Sequence, residues 1–174
     1  MLTIDSPPFG KRERPPWPSE LDLIYNPSLG AYLIWHAALG YFEEDGCAMP
    51  LPLAFLVLPL VLHQQSRDIG MSTYKTSGLT LFAGKLGEHQ EDLLAVHSRM
   101  IALKHLSLNS VTLASAVRLV VVAPKSAEVL AQAIKPSLAS KESIRRMGDL
   151  SGKFGAWFAR LPIEQVATTL RVSF

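Results

Sequence analysis

Apolar positions are densest between Met49 and His63, where MPLPLAFLVLPLVLH carries no charge and is punctuated by Pro50, Pro52 and Pro59. A segment that is greasy on every side must be surrounded on every side, so it predicts the central element of the core. Three prolines argue against a strand inside a ladder and favour a helix with Pro50 and Pro52 in its first turn. At Pro59 the missing N–H and the bulk of the ring predict a kink or an end. Upstream, Asn26-Pro27 predicts a helix start, because the asparagine side chain accepts from free amides and the proline lacks only an N–H that has no partner there. Leu29, Leu33, Ile34, Ala37, Ala38 and Tyr41 follow at helical spacing, and Tyr32 and Trp35 widen the apolar face enough to be covered on two sides. Glu43, Glu44 and Asp45 close this helix before Gly46. Carboxylates there oppose the helix dipole, which predicts fraying or a cation nearby.

Beyond the central run, Gln64 to Lys75 is polar and without period, a predicted loop. Ser77-Gly78 opens a short amphipathic helix, LTLFAGKLG, closed by Gly87. A clearer helix starts at Glu91 and runs through Lys104, and Ser107 or Asn109 is placed to cap the next one, SVTLASAV. RLVVVA is of strand type, Pro124-Lys125-Ser126 supplies a turn, and AEVLA fits a returning strand, although AEVLAQAI fits a helix as well. Two short helices and a hairpin trace the outline of a winged helix-turn-helix. After the break at Lys135-Pro136-Ser137, Ile144, Met147, Leu150, Phe154, Trp157, Phe158 and Leu161 mark a long amphipathic helix. Gly148, Gly152 and Gly155 recur on it at helical spacing and permit close approach of another backbone. Pro162 starts a short terminal helix, IEQVATTL. The predicted fold class is therefore mainly α with a small β-hairpin near residues 118–132, a compact helical domain over 19–174 with a winged-helix outline. Residues 1–18, with five of the twelve prolines and the cluster Lys11, Arg12, Glu13 and Arg14, read as a flexible proline-rich arm. Trp17, framed by Pro16 and Pro18, is either a partner anchor or packed on its own domain.

Composition adds an expectation about assembly. With 48% hydrophobic residues in 174 and a mean hydropathy of +0.20, the chain has more apolar surface than one small domain readily hides, which predicts a permanent partner and a hetero-oligomer. The central run is about 14 apolar residues, short of the roughly 20 a spanning helix needs, and its prolines would leave backbone groups unpaired in lipid, so no membrane is expected. The single cysteine, Cys47, excludes an intramolecular disulfide, and without a signal peptide the expected setting is cytoplasmic. Net charge of +2 conceals an asymmetry: residues 1–98 carry six basic and eleven acidic side chains, residues 99–174 eleven basic and four acidic. The basic half suits nucleic acid or an acidic partner; mutual attraction of the halves is the plainer reading.

Reactive constellations are not apparent. His36, His63, His89, His97 and His105 form no HExxH, and His89, His97 and His105 sit eight apart, whereas ligands on one helix usually sit three or four apart. The glycines around Lys85 lack phosphate-loop spacing, and Cys47 has no nearby base. The expectation is a protein that is not an enzyme, without metal or cofactor. Lys141, Arg145, Arg146 and Lys153, largely off the apolar stripe of the last long helix, are the best nucleic-acid or partner contacts, joined by Arg118 and Lys125 around the hairpin. A solvated helix face is the alternative. Aromatics for base stacking are missing from that edge, which points away from single strands and leaves double-stranded DNA as the candidate.

Several blocks carry a resemblance. NPSLGAYLIWHAALGY, PLPLAFLVLPLVLH, a helix starting SGL, the region around LASAVRLVVVAPKSAEVL and the late KFGAWFARL span roughly residues 22–162. Together they resemble the middle component of bacterial three-component ABC systems, a group that includes the Lamassu anti-phage systems; PLPLAFLVLPLVLH is the specific block. The resemblance implies a small non-catalytic scaffold or adaptor between an SMC-like ABC ATPase and a separate effector, commonly a nuclease. On foreign or damaged DNA the assembly would release the effector, with ATP hydrolysis and DNA cleavage belonging to the partners. The alternative from the helix–helix–hairpin outline is a free-standing winged-helix DNA-binding transcriptional regulator.

Overall fold

The computed structural model describes residues 26–88, 90–134 and 141–174; the proposed arm, Trp17 and His89 lie outside them. The elements run α1 (Pro27–Asp45), β1 (Met49–Pro50), α2 (Leu51–Val61), α3 (Gln64–Ser72), a 3-10 turn (Lys75–Ser77), α4 (Gly78–Gly87), α5 (Gln90–Ala102), α6 (Lys104–Ala116), β2 (Val120–Ala123), β3 (Glu128–Ala131), α7 (Glu142–Ala159) and α8 (Ile163–Leu170). This is the expected mainly helical fold with a small antiparallel sheet. None of the described helices is long and apolar enough to cross a membrane.

Helix α1 starts where Asn26 and Pro27 predict. Asn26 Oδ1 accepts from the Ser28 and Leu29 amides at 2.9 and 3.3 Å, and Gly46, at φ 73°, ends the helix by donating its N–H to the Phe42 carbonyl. The broad apolar face is covered on several sides, by α7, α6, α2 and β3. The carboxylates at its end have found their cations: Arg160 Nε donates to Glu44 Oε1 at 2.8 Å and Lys75 Nζ stands 3.7 Å from Oε2.

The central run is the core element it was expected to be, with Leu53, Ala54, Leu56, Val57, Leu58, Leu60 and Val61 all buried. Pro59 lies inside α2, which ends two residues later at Val61. The argument against a strand holds for α2 but not for its first residues. Met49 and Pro50 form an outer strand, antiparallel to β3 with Met49 opposite Val129 and Pro50 opposite Glu128. The Leu51 N–H donates to the Ala127 carbonyl at 2.8 Å, so the alternation of the ladder puts Pro50 at a position where no N–H is required.

Two expectations of the chain's path are corrected. Gln64–Ser72 is a helix, α3, not a loop, capped locally by His63 at its start and met by a distant side chain at its end. Ser66 N–H donates to His63 Nδ1 at 3.3 Å, and Lys153 Nζ, from α7, donates to the Gly70 and Thr73 carbonyls at 3.0 and 2.9 Å. Helix α6 starts at Lys104, so Ser107 and Asn109 lie within it and cap nothing. Ser107 and Ser110 instead form part of its fully buried face, and an added Cβ at Gly30 of α1 would strike Ser110 Oγ.

The closest helix contact is that of α1 with α7. An added Cβ at Gly155 would strike the Ala37 carbonyl, and one at Gly40 would strike the Gly152 carbonyl. The glycine spacing therefore does what the sequence suggested: it lets two backbones meet. Below this crossing, Phe154, Trp157 and Phe82 pack edge-on and tilted at ring separations of 5.0 to 5.8 Å. Trp157 Nε1 and Arg160 Nη1 both donate to the Lys75 carbonyl, at 2.8 and 2.9 Å, tying α7 to the 3-10 turn.

Candidate interaction surfaces

Three of the predicted cations stand at the start of α7. Lys141 occupies the N-cap, its carbonyl accepting from Ile144 and Arg145, and Arg145 and Arg146 follow in the first turns, all three exposed. Arg145 Nη2 meets Glu142 Oε2 at 3.0 Å, an exposed pair of the kind worth little, well under about 1 kcal/mol. Arg146 borders a shallow depression with Met71, Asp149, Leu150 and Lys153. A positive side chain at the N-cap, as at Lys141, opposes the helix dipole.

Lys153 is used differently. Besides capping α3, its ammonium lies 5.8 Å from the centre of the Trp157 ring, and burial pushes its pKa down. Its charge is committed inside the fold. Arg118 and Lys125 are exposed at the two ends of β2, with Arg118 in the left-handed region at φ 61°. The hairpin and α7 each pack on α1 and not substantially on one another. The structure therefore places Lys141, Arg145 and Arg146 at the start of one helix, sets Lys153 further along it at the depression that Arg146 borders, and puts Arg118 and Lys125 on the hairpin.

Two features escaped the sequence reading. Leu51, Pro52, Phe55, Met100, Ile101 and Phe174 line an apolar groove of about 400 Å³, with His97, Lys104 and Ala127 also on its wall. Ile101 lies seven residues from Leu94, off the buried stripe Leu93, Val96 and Met100, and both are more than half exposed. That spacing was the available signal. The second is a half-buried polar cluster between α5 and the start of α3. Arg99 Nη2 donates to the Asp92 carbonyl at 2.7 Å, and His63 Nε2 lies 3.9 Å from Asp92 Oδ1. Burial, then the neighbouring Arg99, hold the His63 pKa below its ordinary value.

Among the described residues, no group of three or more histidine, cysteine or acidic side chains is arranged to hold a metal ion. Cys47 is exposed, and the Asp45 carboxylate beside it raises the thiol pKa, which disfavours the nucleophilic thiolate.

No curated protein and no solved structure matches the chain. A family model does: that of the ABC-three component (ABC-3C) system Middle Component 3, over residues 16–174. That span takes in the central helix, the α1–α7 crossing and the hairpin, the same blocks that carry the sequence resemblance. The chain belongs to the ABC-three component (ABC-3C) system Middle Component 3 family.

Proposed function

We propose that the chain is a non-catalytic scaffold and adaptor subunit of a Lamassu-type anti-phage system, working in the cytoplasm. It would join an SMC-like ABC ATPase to a nuclease effector and contact double-stranded DNA through Lys141, Arg145 and Arg146. The observation that carries this is membership of a middle-component family, which implies hetero-oligomeric partners. Exposed apolar side chains at two places, Ile101 and Phe174 at the groove and Val121 on β2, support the role of a subunit with more than one contact. The exposed cations at the start of α7 support the DNA contact.

Co-expression with the ATPase and effector subunits of its own system is the test. Stable co-purification of all three is the expected result. A chain that purifies alone as a soluble monomer and ignores both subunits overturns the reading. The order α5, α6, hairpin keeps one second reading in play, a free-standing winged-helix regulator. The isolated chain's DNA affinity separates the two: a regulator selects one sequence tightly, an adaptor binds weakly and without sequence preference.

A further inference from the structure

Among the described residues, the hairpin has an edge whose hydrogen-bonding capacity is unused. Gln132 N–H donates to the Leu119 carbonyl at 2.8 Å, in step with the pairs Val120↔Ala131 and Val121↔Leu130. Bonded and non-bonded pairs alternate along an antiparallel ladder. Leu119, Val121 and Ala123 therefore turn their main-chain groups toward β3, and Val120 and Val122 turn theirs outward. The sheet order β1–β3–β2 leaves β2 at the edge. Among the described residues, no hydrogen bond meets the outward N–H and carbonyl groups of Val120 and Val122.

The side chains agree with the backbone. Val121, 51% exposed, stands directly opposite Leu130, 36% exposed, so both lie on the outer face, while Val120 and Val129 are buried beneath. Proteins usually blunt such edges with a lysine, a proline or a bulge inside the strand. β2 reads Val, Val, Val, Ala and has none of these. Its only charges stand outside it, Arg118 before and Lys125 after, both exposed and without an ion pair among the described residues. Among the described residues, the edge is open between two cations.

We propose that β2 receives an extended segment of a partner subunit as an added strand. The segment bonds to the Val120 and Val122 main chain, lays apolar side chains beside Val121, and places carboxylates near Arg118 and Lys125. The identity of the donor as a subunit rests on the adaptor reading above; the edge itself does not.

The full chain is titrated with a synthetic peptide of alternating valine and threonine bearing a glutamate at each end. It is also assembled with the ATPase and effector subunits. Amide exchange at Val122 is measured in each state. The assembly is expected to slow it at least about tenfold relative to the free chain. Val122→Pro removes an outward N–H and no bond to β3, but it also trims a half-buried side chain packed on the core, so a modest fall in the melting temperature of the free chain is expected and is measured alongside. The variant weakens both peptide and assembly about tenfold. Lys125→Glu, on an exposed turn, weakens both similarly and serves if the proline variant folds poorly. An assembly in which Val122 exchanges as in the free chain, and which Lys125→Glu forms with wild-type affinity, overturns the proposal. If no assembly forms at all, the adaptor reading fails. The edge is then judged on the peptide: saturable binding weakened by Lys125→Glu supports it, and no binding ends it.

Discussion

Alanine at Gly155 adds one carbon, and that carbon lands on the Ala37 carbonyl of the facing helix. Neither backbone can turn aside as a side chain would, so α1 and α7 must separate. Gly155→Ala is expected to lower stability by about 3 kcal/mol or more, seen as a fall in the urea midpoint. Gly84 is the control, an exposed position inside α4 with nothing within 4 Å of an added Cβ. Gly84→Ala is expected to stabilise by about 0.5–1 kcal/mol through the lost freedom of the unfolded chain. His36 gives a third residue-level test. It sits between Tyr32 and Trp35 at ring separations of 4.5 and 4.6 Å. Burial lowers its pKa from the ordinary 6.5, more than Asp149 raises it. The unfolded chain therefore takes up the proton first as pH falls. Stability is full above about pH 6.5 and declines as pH drops toward the folded-state pKa. Melting temperatures from about pH 7.5 to about pH 5 should show that decline, and His36→Gln should make it shallower, with His63 supplying the remainder.

Among the elements, those legible in the sequence are the ones whose causes are local. Asn26 and Pro27 set the start of α1, Gly46 its end, and the β-branched run and Pro124 the hairpin, because each acts on its own neighbours. Helix α3 was illegible for the opposite reason. The Gly70 and Thr73 carbonyls at its C-terminal end are answered by Lys153 from 83 and 80 residues away, and a cation reaching across the fold leaves no local pattern. The same contact divided the candidate site. Sequence spacing put Lys153 off the apolar stripe with Arg145 and Arg146, but spacing says nothing of what stands above that part of the helix. Lys153→Met should then act on the fold, costing about 1–2 kcal/mol through the unanswered Gly70 and Thr73 carbonyls. DNA affinity of the folded variant should stay within about twofold of wild type. A large loss of affinity at full stability would return Lys153 to the DNA surface.

Across the whole molecule, α1 is the spine on which the two charged regions are mounted. α7 lies along it with Lys141, Arg145 and Arg146 at its start, and β3 rests on it elsewhere, carrying the edge strand with Arg118 and Lys125. Because α7 and the hairpin do not lean on each other, their functions should separate on mutation. Arg145→Glu combined with Arg146→Glu removes two exposed charges and one weak surface pair, so the fold should be retained. The double variant is expected to assemble with the ATPase and effector like wild type and to lose protection against phage. In binding assays its affinity for duplex DNA should fall, and the slope of log affinity against log salt should become shallower by about two, one for each phosphate contact removed. Val122→Pro should give the reverse pattern, with DNA binding kept and assembly weakened. If the arginine variant protects as well as wild type, the cations of α7 are a solvated helix face and DNA is held elsewhere in the assembly.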